Sequence, residues 1–152
     1  MDSPSASPFG RTITIDDVQR NFEFFDDWED RYRFIIDLGK QLPAMDDALK
    51  IPANIIHGCQ SQVWIATARE GDQLEFELDS DAHIVRGLIA IVLSAVNAKP
   101  PAEILDYDLH GMFEGLDLIS HLSLARGNGL VAMVKRIKGI AAQELRGAPD
   151  HT

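Results

Sequence analysis

Cysteine occurs once in the chain, as Cys59, and the residues around it give it chemical interest. It follows Ile55-Ile56-His57-Gly58 and precedes Gln60-Ser61-Gln62, after which Val63-Trp64-Ile65-Ala66-Thr67 turns abruptly apolar. Gly58 admits backbone angles that a Cβ would forbid, so it can bend the chain tightly just before the thiol. A free cysteine is most often a small buried hydrophobe. One placed between a glycine and three polar residues is instead typical of an exposed or half-exposed turn. In such a turn the thiolate can act as a nucleophile if a cation or backbone N–H groups stabilise it. His57, Arg126 and the loop amides are the candidates for that task, with Gly58, Gln60 and Ser61 as supporting loop residues.

A reactive loop needs a rigid frame, and the flanking sequence supplies strands. The β-branched and aromatic run from Val63 suits a half-buried strand over about Gln62 to Arg69. Glu70-Gly71-Asp72 reads as a hairpin turn, and beyond it Leu74, Phe76 and Leu78 alternate with Gln73, Glu75 and Glu77. That alternation predicts one buried and one wet face. With a short strand near Ile55 and Ile56, the expectation is an antiparallel sheet of about three strands, packed on one face by helices.

Helical periodicity dominates elsewhere. From Thr14 to Leu42 the apolar positions fit two helices bent around Asp26 and Asp27, the first opened by Asp16 and Asp17 and the second ended by Gly39 and Pro43. Their aromatic face reads as core. A linker follows, with a helical turn over Asp46 to Lys50. Asp79 or Ser80 is suited to cap a helix reaching about Asn97, in which only Arg86 and Ser94 interrupt the apolar run from Ile84 to Val96. Burial nearly all round is expected, at a length short of the ~20 apolar residues of a membrane span. His83 reads as a surface histidine beside the cap. Pro101 opens another helix, short helices follow, and Ser123 caps a last one to about Leu145. Its apolar stripe is Leu130, Met133, Val134, Ile137 and Ala141, while Lys135, Arg136 and Lys138 fall on other faces that read as solvated. Arg126, beside Gly127, Asn128 and Gly129, marks a helix start where backbone can approach another group.

The totals bound the rest. A chain of 152 residues is one α+β domain, placed at 14–145 between disordered tails at 1–13 and 146–152. Its 24 acidic and 14 basic residues give a formal charge of −10, which disfavours binding to nucleic acid or to anionic membrane. Residues 1–11 lack the basic and apolar regions of a secretory signal, and a single cysteine suits a reducing cytoplasm.

Three collinear blocks of the chain resemble the SufE family, the sulfur-acceptor partners of cysteine desulfurases. They are Gly58-Cys59-Gln60-Ser61-Gln62-Val63-Trp64, then Asp79-Ser80-Asp81-Ala82-His83-Ile84-Val85-Arg86-Gly87-Leu88, then His121-Leu122-Ser123 through Arg126, Asn128-Gly129-Leu130, Met133 and Arg136-Ile137. The likeness runs from about Asp16 to about Lys138. It implies a SufE/IscU-like α+β fold and identifies Cys59 with the family's sulfur-accepting cysteine. The resemblance further implies a carrier and activator that is not an autonomous enzyme. It would take sulfur as a persulfide from a pyridoxal-phosphate cysteine desulfurase and relay it to an iron–sulfur scaffold. The chain would hold no cofactor or metal of its own, the pyridoxal phosphate belonging to the partner, and would be a monomer or homodimer. Arg126 matches the family's arginine, with a positioning or charge-stabilising role, although Leu124 and Ala125 stand where relatives commonly have Pro-Ser. The alternative readings are an IscU-like iron–sulfur or metal scaffold, against which a single thiolate counts, and a non-catalytic interaction module in which Cys59 only packs.

Overall fold

The computed structural model describes residues 7–147. Two helices come first, α1 (Ile15–Phe24) and α2 (Trp28–Lys40), separated by the expected bend, and Asp27 caps α2 by accepting from the Asp30 amide at 2.9 Å. Strands β1 (Val63–Glu70) and β2 (Gln73–Ser80) follow, then α3 (His83–Val96), α4 (Pro101–Asp106), α5 (Leu109–Gly115) and the long α6 (Leu124–Gly147). The fold is α+β, as expected. Helix α3 is its axis: every residue from Gly87 to Val96 is buried, with α2, α1 and β2 packed around it.

Strands β1 and β2 pair antiparallel through a tight turn, Glu70 opposite Gln73 and Ile65 opposite Leu78. Leu74, Phe76 and Leu78 are buried as the alternation predicts, and Val63 and Ile65 join them. The expected third strand is reduced to one bridge, Ile55 with Trp64, reinforced by the Ile56 amide donating to the Val63 carbonyl at 2.9 Å. A 3₁₀ turn over Pro52–Asn54 comes just before this pair and Gly58 bends the chain just after it, so too few residues remain extended to make a ladder.

Other expectations shift for identifiable reasons. Gly39 does not end α2; it is buried within the helix where α2 crosses α3. A Cβ on Gly87 would stand 2.1 Å from the Ile35 carbonyl oxygen, and one on Gly39 would stand 2.7 Å from the Gly87 nitrogen, so the two glycines let the helices touch along their backbones. Asp79 does not cap α3. The N-cap position is Ala82, and Asp79 is buried at the end of β2, where it pairs with Arg86 and accepts from the Met45 amide at 3.0 Å. Arg86 in turn donates to the Leu42 carbonyl at 2.7 Å, so one ion pair fastens β2, α3 and the linker after α2.

The folded region also begins earlier than residue 14. Phe9 is fully buried, and the Asn97 side chain donates to its carbonyl at 3.1 Å while accepting from the Phe76 amide at 2.7 Å. Arg11 pairs with Glu75. At the other end α6 continues to Gly147. The remaining parts of the expected tails, 1–6 and 148–152, lie outside the described residues. Among the described residues no helix is long and apolar enough to cross a membrane.

Candidate functional site

Gly58 takes φ +95°, a conformation that side-chain-bearing residues rarely adopt, and so turns the chain out of the Ile55–Trp64 bridge into the cysteine loop. The far end of the loop is held by Asp81, which accepts from the Gln62 amide at 3.2 Å. Between these ends the loop folds against α6. The thiol of Cys59 donates to the Gly129 carbonyl at a sulfur–oxygen distance of 3.8 Å, and a Cβ added to Gly129 would stand 3.6 Å from that sulfur.

Cys59 is half-buried at a cavity of about 20 Å³, room for roughly one water-sized group. The apolar walls are Val63, Val85, Leu88, Leu130 and Met133, which come from β1, α3 and α6, and the rim is closed by Gln60, Ser61 and Arg126. The three sequence blocks therefore meet in space at this cavity. Burial pushes the Cys59 thiol above its ordinary range, because an apolar lining penalises the thiolate. In this position the sulfur is half-sheltered, with its thiol on the Gly129 carbonyl.

The proposed supporting residues divide. Gln60, Ser61 and Arg126 line the cavity, whereas His57 is exposed on the loop and does not reach it. Gly58 supplies the bend and faces Ala132, whose methyl lies 3.4 Å from where a Gly58 Cβ would be. Ser123 accepts from the Arg126 amide at 3.2 Å, as its capping position predicts. Helix α6 already starts at Leu124, so Gly127, Asn128 and Gly129 lie within its first turns and not before it. What Gly129 provides is a flat patch of helix backbone against which the sulfur rests.

Two residues that read as solvated are bonded to backbone. Lys138 donates to the carbonyls of Ile104, Leu105 and Tyr107 at 2.5–2.9 Å, closing the carbonyl end of α4. Arg136 donates to the carbonyls of Ile55 at 3.3 Å and Ala53 at 3.4 Å, just upstream of the cysteine loop. The signal for Arg136 was its spacing: Arg126, Gly129, Met133 and Arg136 recur every three or four residues and so share one side of the helix.

A larger cleft of about 440 Å³ opens along the hairpin, lined in part by Leu42, Leu49, Ala68, Glu75 and Glu77. Cys59 is not among its lining residues; the thiol lies at the smaller cavity. Among the described residues no group of three or more His, Cys, Asp or Glu side chains is placed to hold a metal ion.

The chain is similar to known proteins in sequence and in fold. The sequence model of the SufE family, described as the Fe-S metabolism associated domain, matches residues 16–141. An uncharacterised SufE-like protein of Rhizobium etli is 48% identical over 129 residues, covering 82% of this chain and 87% of that protein. The sulfur acceptor protein CsdE of Escherichia coli K12 is 42% identical over 131 residues, covering 86% of this chain and 89% of its own. In fold, the chain is similar to the solution structure of a hypothetical protein from Thermus thermophilus, with a TM-score of 0.71 at 16% identity over 87% of this chain and 96% of that one. On the extent of these matches, this chain belongs to the SufE family of Fe-S metabolism associated proteins.

Proposed function

We propose that this protein accepts sulfur from a pyridoxal-phosphate cysteine desulfurase as a persulfide on Cys59 and passes it to iron–sulfur cluster assembly. The observation that carries this reading is the single cysteine of the chain, set on a glycine-bent loop and backed into an apolar cavity about the size of one added atom group. The name of the Escherichia coli relative, a sulfur acceptor protein, supports the same chemistry.

The step is thiol exchange. The Cys59 thiolate attacks the outer sulfur of the desulfurase persulfide, a new S–S bond forms as the old one breaks, and the desulfurase cysteine leaves as a thiolate. No external oxidant or reductant is consumed. The sheltered position disfavours the thiolate, so the acceptor must leave it to react: the loop swings outward into the partner, where Cys59 is solvated, and returns to shield the product. The position of Arg126 on the cavity rim supports a role in stabilising charge on sulfur as the thiol passes. In this reading the protein is cytoplasmic and needs no cofactor of its own.

The test is cysteine turnover by a desulfurase with and without this protein. Stimulation by the wild type that is lost in Cys59→Ser is the expected result. Equal turnover in all three reactions, across the desulfurases of the host, would overturn the proposal.

A further inference from the structure

The segment leading to Cys59 runs along one side of α6 in the opposite direction to the helix. Ala53 and Ile55 lie at Arg136, Gly58 lies at Ala132, Cys59 lies at Gly129, and the cavity rim ends at Arg126. Small residues in the middle of this track let backbone approach helix, and an arginine stands at each end. Arg136 is the only side chain of α6 bonded to the upstream part of the track among the described residues.

We infer that Arg136 is a positioning residue for Cys59: by holding the carbonyls of Ala53 and Ile55 it anchors the upstream pivot of the loop and so sets how readily the thiol leaves its cavity. The reasoning is one of reach. The loop leaves the sheet through a neck made by one bridge and one backbone hydrogen bond, Ile55 with Trp64 and Ile56 with Val63. A pair of isolated β contacts is a weak hinge, because most sheet stability comes from neighbouring pairs that this segment lacks. The guanidinium adds two long hydrogen bonds, 3.3 and 3.4 Å, from the two arms of a planar fork to carbonyls flanking Asn54, a geometry a single ammonium does not share. Loss of the fork leaves the neck free to fray, and Cys59 spends more time outside the cavity.

This inference deepens the sulfur-acceptor reading and rests on it for its purpose, but its test needs no partner. The measurement is the rate of Cys59 alkylation by iodoacetamide at fixed pH in the full chain, with the thermal midpoint recorded alongside. Arg136→Met is expected to react about tenfold faster than wild type while still folded, in line with the modest worth of the two long bonds it removes. Arg136→Lys is expected to fall between, as the partial rescue of a fork by a point charge. A purely stabilising role would lower the midpoint and leave the native-state alkylation rate unchanged, and that outcome overturns the inference. Should Arg136→Met fail to fold, Arg136→Lys alone decides: a rate equal to wild type overturns the proposal. Faster alkylation in a protein whose wild type does not stimulate a desulfurase would sink the sulfur reading and leave the role of Arg136 standing.

Discussion

Cys59 and Gly129, seventy positions apart, meet at a sulfur–oxygen distance of 3.8 Å, and the place on Gly129 where a side chain would begin lies 3.6 Å from the cysteine sulfur. The loop and the helix therefore meet at the thiol. Gly129→Ala adds a methyl at ordinary contact distance, 3.6 Å from the sulfur. Replacing glycine by alanine within a helix also favours the helix by up to about 1 kcal/mol. The expected result is an unchanged or slightly raised thermal midpoint with alkylation of Cys59 close to that of wild type. Gly129→Val adds branches that the cavity of about 20 Å³ cannot absorb, so the thiol is pushed outward and alkylates faster.

The pH profile of alkylation follows from burial. Because the cavity raises the Cys59 pKa, the thiolate fraction at a given pH is smaller in the folded chain than in the unfolded one. The midpoint of the rate–pH curve is expected above the ~8.5 of an unstructured cysteine in the native protein and back near that value in guanidinium. A native midpoint below the unfolded one would show that a cation, not burial, governs the thiol.

Gly87→Ala tests the crossing of α2 and α3. The new Cβ would lie 2.1 Å from the Ile35 carbonyl oxygen, a contact that separation of the two packed helices relieves. Destabilisation of about 1–3 kcal/mol is expected from denaturant unfolding, the usual cost of overpacking a core. Little change in the unfolding midpoint would mean that the helices separate easily.

Asp79→Ala removes a buried carboxylate and leaves the partly exposed Arg86, and Lys50 at 3.7 Å, without it. A loss of about 1–3 kcal/mol is expected, since Arg86 loses its carboxylate and the buried Met45 amide loses its acceptor. The double variant Asp79→Ala with Arg86→Met is expected to recover part of it. Additive losses in the double variant would rule out the pairing as the cause.

Much of this was legible in the sequence because it rests on local pattern. Alternation placed Leu74, Phe76 and Leu78 inward, the apolar run from Ile84 to Val96 marked the central helix, and Gly58 beside the lone Cys59 marked the bent loop. The failures lie where long-range geometry decides. Nothing local distinguishes an Asp79 that caps the next helix from one that pairs with Arg86 inside it. Arg136 and Lys138 resemble any solvated charge until α6 is laid against the carbonyls that they reach. The third strand failed on length: Ile55 and Ile56, caught between a 3₁₀ turn and a glycine bend, can make a bridge but not a ladder.

The central claim is that sulfur resides on Cys59, and intact mass of the recovered protein tests it most directly. After incubation with a cysteine desulfurase and cysteine, the wild-type chain is expected to gain the mass of one sulfur, to lose it on treatment with a thiol reductant, and to gain nothing as Cys59→Ser. A wild-type chain that stays at its starting mass while the desulfurase turns over, or a Cys59→Ser chain that gains sulfur equally, would contradict the account.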